Sequence, residues 1–107
     1  TILKFYLHIR KAEQKERLEA RRDTPGKQWK LSPGDLAERQ HWDDYMRAYE
    51  YALTRCSKDW APWYIVPANH KWYRNVVIAR TIVQTLESLD MQYPDPEEGI
   101  EDVFVPD

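Results

Sequence analysis

Only two stretches of this chain pattern as strands, and nearly everything between and after them patterns as helix. The first is residues 2–9. Leu3, Phe5, Leu7 and Ile9 share one wholly apolar face, while Ile2, Lys4, Tyr6 and His8 share a mixed one. Such a run favours a buried strand of the parallel type. The second is Tyr64-Ile65-Val66, framed by Pro62 and Pro67. Thr1 leads straight into the first run, with no cap or loop ahead of it. The expectation is a piece cut from something longer.

Helical patterns fill the rest. Lys11–Asp23 holds helix formers throughout and stops at Thr24-Pro25-Gly26. Its apolar stripe is only Ala12, Leu18 and Ala20, so it leans on ion pairs or a ligand. Ser32-Pro33-Gly34-Asp35 opens a second helix, with Ser32 as cap and Pro33 in the first turn, expected to run to about Arg55. Trp42, Tyr45, Met46, Tyr49 and Leu53 form its apolar stripe, and Asp43 stands at ion-pair spacing from Arg47. Asn69 is expected to cap a third helix carrying Trp72, Val76, Ala79, Val83 and Leu86 at heptad-like spacing. After Leu89 the pattern gives way to a Pro-containing acidic tail, residues 90–107. Strand, helix, helix, strand, helix is the order of a doubly wound α/β protein lacking its first half.

At 107 residues the chain is one domain at most. No apolar run approaches the length of a membrane span. A single cysteine, Cys56, fits a reducing cytoplasm. The net charge of −2 hides a division: residues 1–31 hold nine Lys/Arg against four Asp/Glu, and residues 90–107 hold seven acids and no base. The basic end calls for an anionic partner. A pI near 5.9 argues against a nucleic-acid binder.

Five tryptophans mark where the fold must hold a fixed shape. Trp42 and Trp72 fall in apolar stripes and are assigned to the core; Trp29, in a basic loop, is placed for ligand contact. Arg17 and Arg21 lie one turn apart with Gln14 on the same face, and Lys27 and Lys30 follow in the loop. Guanidinium forks and flexible ammoniums together suit a phosphate chain. The plainer alternative is a solvated helix face with Glu13–Arg17 as a surface pair. Gly26-Lys27 fails as a phosphate loop, because the glycine required five positions earlier is Arg21. His8, His41 and His70 lack metal-ligand spacing, and the adjacent Asp43 and Asp44 diverge on their helix. No catalytic or metal-binding residue is assigned within this chain.

The series Lys4-Phe5-Tyr6-Leu7-His8-Ile9, Glu13-Gln14, Trp29-Lys30, Trp42-Asp43-Asp44-Tyr45, Ala61-Pro62-Trp63-Tyr64 and Pro67-Ala68-Asn69-His70-Lys71 resembles the family-2 polyphosphate kinases. The resemblance spans residues 2 to about 100 and includes Tyr93-Pro94 and Glu98-Gly99. It implies a P-loop kinase fold of the thymidylate-kinase type, of which this chain is the mostly helical carboxyl-terminal part. It implies phosphoryl transfer between inorganic polyphosphate and a nucleoside mono- or diphosphate, with Mg²⁺ held by ligands outside this chain. A homo-oligomer is implied as well, while the absence of a nucleic-acid or membrane partner rests on the pI and the short apolar runs above. Residues 11–31 then correspond to the lid, which makes Arg17, Arg21, Lys27 and Lys30 candidate phosphate contacts. Arg10 departs from the family, which usually has a small capping Ser there. The competing expectation is a module that binds polyphosphate or a partner without turnover.

Overall fold

The computed structural model describes residues 1–107. It has two strands and four α-helices: β1 (Lys4–His8), α1 (Lys11–Arg22), α2 (Pro33–Gln40), α3 (Trp42–Cys56), β2 (Trp63–Pro67) and α4 (Lys71–Ser88). Short 3-10 helices cover Pro25–Lys30 and Ile100–Asp102. The strands pair in parallel, Lys4 opposite Trp63 through His8 opposite Pro67. Bonds at both ends lengthen the ladder, from Lys4 N–H to the Pro62 carbonyl (3.2 Å) and from Ala68 N–H to the His8 carbonyl (2.8 Å). The α/β alternation expected from the sequence is observed, with one helix more between the strands than the sequence led one to expect.

α3 meets the mixed face of β1 at Tyr6. Tyr6 stacks on Tyr49 with ring centroids 4.5 Å apart, and its hydroxyl lies 3.7 Å from the Met46 sulfur. On the apolar face Phe5 meets its cross-strand partner Tyr64 at 5.5 Å. α4 packs against β2.

Three local expectations are corrected. The helix expected over Ser32–Arg55 is two helices, because the chain turns at His41 (φ −85°, ψ 19°). His41 N–H closes back on the Glu38 carbonyl at 3.1 Å, a tight three-residue link, and the Tyr45 hydroxyl donates to Glu38 across the corner. Arg47 pairs with Asp44, not with Asp43. Asn69 does not cap α4, whose first residue follows His70 with no side-chain cap at all. The cap at Ser32 is present in full. Its hydroxyl accepts from Asp35 N–H (3.3 Å) and the Asp35 carboxylate accepts from Ser32 N–H (2.8 Å).

Very little is buried within this chain. Only Val66 and Ala68 are enclosed. The radius of gyration is 22.3 Å, against about 13 Å for a compact domain of similar length. Trp72, assigned to the core from its stripe, is 68% exposed, and Val76, Val83 and Leu86 stand open on the same helix. Trp42 is half-buried. No helix is long and apolar enough to cross a membrane. α4 ends where Asp90 takes a left-handed conformation (φ 45°), which a short polar side chain tolerates. Beyond it the acidic tail is exposed, with a second left-handed turn at Gly99 (φ 79°).

The reciprocal cap makes a direct expectation. Ser32→Ala should cost about 1 kcal/mol of stability, read as a lowered midpoint in urea unfolding, while Ser32→Asp should restore most of it.

Candidate functional site

Because the strands are parallel, their carboxyl ends lie side by side, and the chain leaves both into helices. This is where open α/β sheets place ligands. The two exits are bound to each other. The Asn69 side-chain oxygen accepts the Arg10 N–H at 3.1 Å. It thus serves the start of α1, where Arg10 offers no cap of its own.

Arg17, two turns into α1, reaches the same place. Its Nε donates to Glu13 Oε1 at 2.8 Å, and its Nη2 donates to the carbonyls of Ala68 (2.7 Å) and Asn69 (2.9 Å). Its side chain keeps about a quarter of its exposure, 27%. Arg21 stands one turn farther along the same face. Its sole protein partner is the Lys30 carbonyl, at 3.5 Å.

Gln14, Arg17, Leu18 and Arg21 line one wall of an open cleft of about 780 Å³. The opposite walls are Phe5 and Leu7 of β1 and Trp42, Met46 and Tyr49 of α3. Arg39 crosses the cleft from α2, donating to the Gln14 side-chain oxygen at 2.5 Å and lying 6.0 Å from the Trp42 ring. Trp63 also borders this region, and its indole N–H is buried without an acceptor.

The 3-10 turn Pro25–Lys30 lies beyond. Lys27 and Lys30 project from the 3-10 helix into solvent, and the Lys30 ammonium sits 4.9 Å over the face of Trp29, itself 78% exposed. Arg21, Lys27 and Lys30 have no carboxylate within ion-pair distance. Arg22, by contrast, is engaged with Asp23, and their hydrogen bond holds the Asp23 carboxyl below the usual carboxylate range. The structure therefore brings Arg17 and Arg21 onto one wall, sets Lys27 and Lys30 on the adjoining turn, and gives Arg17 partners the other three lack. Arg39 escaped the sequence reading, which gave Asn69 the part of a helix cap and no part in joining the strand exits. Both act through partners far away in the chain, which spacing does not reveal.

No three His, Cys, Asp or Glu side chains converge on a common point. Cys56 is exposed and free; its carbonyl accepts the Lys4 ammonium at 2.7 Å. His8 lies 3.4 Å from the Tyr6 hydroxyl, and His41 3.5 Å from Asp44.

Parallel strands, a basic helix and turn that follow the first of them, and an open cleft beside that helix mark an α/β protein. The comparisons make this specific. Residues 1–94 match the model of the family Polyphosphate kinase 2 (PPK2), and the chain belongs to that family. It is 51% identical over 105 residues to the AMP/ADP-polyphosphate phosphotransferase of Meiothermus ruber, covering 98% of this chain and 39% of that protein. It is 50% identical over 94 residues to the ADP-polyphosphate phosphotransferase of Rhodopseudomonas palustris, covering 88% of this chain and 32% of the relative. The crystal structure of Polyphosphate Kinase 2 from Arthrobacter aurescens TC1 superposes with a TM-score of 0.90 at 46% identity, over 95% of this chain and 37% of that one. The chain thus spans under two-fifths of the length of each of these three proteins.

Two tyrosines near the cleft report on its packing. Burial and the neighbouring Tyr49 raise the Tyr6 pKa above 10.0, and the bond to Glu38 raises that of Tyr45. A raised folded pKa favours the protonated form, so this contribution is intact below pH 10 and is lost as pH rises through the folded values. Absorbance titration should show late-ionising phenols, and Tyr45→Phe should remove one of them.

Proposed function

We propose that the protein carrying this chain transfers phosphoryl groups between inorganic polyphosphate and a nucleoside mono- or diphosphate, and that residues 11–31 form its lid. The observation that carries this is the trio of basic side chains without carboxylate partners, Arg21, Lys27 and Lys30, at the carboxyl ends of parallel strands. The names of the relatives support the substrate class. Those of Meiothermus ruber and Rhodopseudomonas palustris act on AMP/ADP and ADP; one from Pseudomonas aeruginosa, 36% identical, is a polyphosphate:AMP phosphotransferase.

Phosphoryl transfer asks a protein mainly for positioning and for stabilising charge on the phosphoryl oxygens. In this reading the Arg21 guanidinium grips two phosphate oxygens as a fork, while Lys27 and Lys30 add mobile point charges along the chain. Trp29 seats the closed lid and excludes water. Mg²⁺ belongs to the same reading, but the residues here do not fit a site for it, since no cluster of carboxylates converges. Its ligands are assigned outside this chain, and no step is derived through it. A homo-oligomer and a cytoplasmic location, the latter in keeping with the free Cys56, complete the proposal.

Arg21→Ala should lower kcat/KM for polyphosphate by about 10–100-fold, the scale of one charge-assisted bond, with a weaker dependence on salt. Unchanged saturation by polyphosphate would remove Arg21 from the site. Salt-sensitive polyphosphate binding with no transfer to AMP, ADP or GDP would replace the kinase reading with a binding module.

A further inference from the structure

We propose that Arg17 is a latch that locks the base of the lid to the carboxyl end of β2, a positioning residue that does not itself hold phosphate. The inference rests on the phosphotransferase reading for its catalytic consequence, but the latch is argued from geometry alone.

The first argument is the use of donors. Arginine grips a phosphate or carboxylate side-on through the edge formed by Nε and one Nη. In Arg17 that edge is taken: Nε by Glu13 at 2.8 Å, and Nη2 by the carbonyls of Ala68 and Asn69 at 2.7 and 2.9 Å. Only Nη1 remains. The adjacent Glu13 carboxylate also cancels the charge that would attract an anion.

The second is place. Val66 and Ala68 are the two enclosed residues of the chain, so Arg17 bonds beside the tightest packing present. If it swung away to a ligand, the Ala68 and Asn69 carbonyls would lose their only side-chain donor, and a poorly solvated carbonyl is costly to leave unpaired.

The third is convergence. Ala68 N–H bonds to the His8 carbonyl, and Asn69 Oδ1 accepts the Arg10 N–H. The end of β1, the end of β2 and the first two turns of α1 are thereby closed into one ring of bonds. Arg21, one turn beyond that ring, has no carboxylate partner and borders the cleft. The two arginines divide the work: Arg17 fixes where the helix stands, and Arg21 meets the ligand.

The test compares Arg17→Lys with Arg17→Ala in the protein that carries this chain, assayed with polyphosphate and ADP. Lysine binds phosphate but cannot span three acceptors as a fork. A latch predicts that both variants lose about 10–100-fold in kcat, with the polyphosphate KM within about threefold of the original. A phosphate ligand predicts that Arg17→Lys keeps most of kcat/KM and Arg17→Ala chiefly raises KM; that pattern overturns the proposal. If neither variant folds, Glu13→Gln decides. A latch loses kcat at constant KM, whereas a ligand freed from its carboxylate lowers KM. Amide exchange supplies a readout independent of turnover, because the Arg10 and Gln14 amides sit in or beside the ring. Faster exchange there in Arg17→Lys upholds the latch even if the original protein transfers no phosphate, in which case only the kinase reading fails. Unchanged exchange overturns the latch.

Discussion

The parallel pairing of β1 with β2 is the constraint on which everything else hangs. The two strands bring together residues 4–8 and 63–67, and the intervening segment must therefore leave and return along the sheet. It does so through α1, the 3-10 turn, α2 and α3. The pairing also sets the strand exits side by side. Without it, Asn69 could not reach Arg10, and Arg17 would have no carbonyls to hold. The ladder is short, so its ends count for more than usual, and both ends are reinforced by bonds beyond the strands.

α1 is held for reasons unlike those of α3. α3 lays Met46 and Tyr49 against Tyr6, an ordinary apolar contact. α1 has no buried residue at all. Exposed pairs such as Lys15–Glu19 contribute little each, so the anchoring at Arg10 and Arg17 has a large share in holding this helix in place. α1 is fastened near its start by Arg10 and Arg17, and carboxylates at both of its ends are already engaged. Glu13 and Asp23 are engaged with Arg17 and Arg22, which leaves Arg21, Lys27 and Lys30 without acidic neighbours.

Much of this was legible in the sequence, and the failures have a common cause. Periodicity located both strands, α1 and α4, because their patterns are local. The turn at His41 was not legible, since the segment holds no proline or glycine there; the corner forms because α3 docks on β1 while Tyr45 and Glu38 hold the bend. Asn69 looked like a cap for α4 because it stands beside that helix. Its acceptor turns instead to Arg10, fifty-nine positions away. The stripe of Trp72, Val76, Val83 and Leu86 was read as core by its spacing, yet no segment of this chain covers it. Spacing placed Arg17 beside Arg21 but gave no sign of the carbonyls waiting for it.

The register of the ladder also sets a clock. Phe5 must wait for Tyr64, its partner across the sheet, and at about 5–20 residues per second of synthesis that delay is about 3–12 seconds. Through that interval the side of β1 that β2 will occupy lacks that partner, along a run in which Leu3, Phe5, Leu7 and Ile9 alternate. The helix that follows is densely charged, and charge beside an unpaired apolar strand opposes its association with other chains.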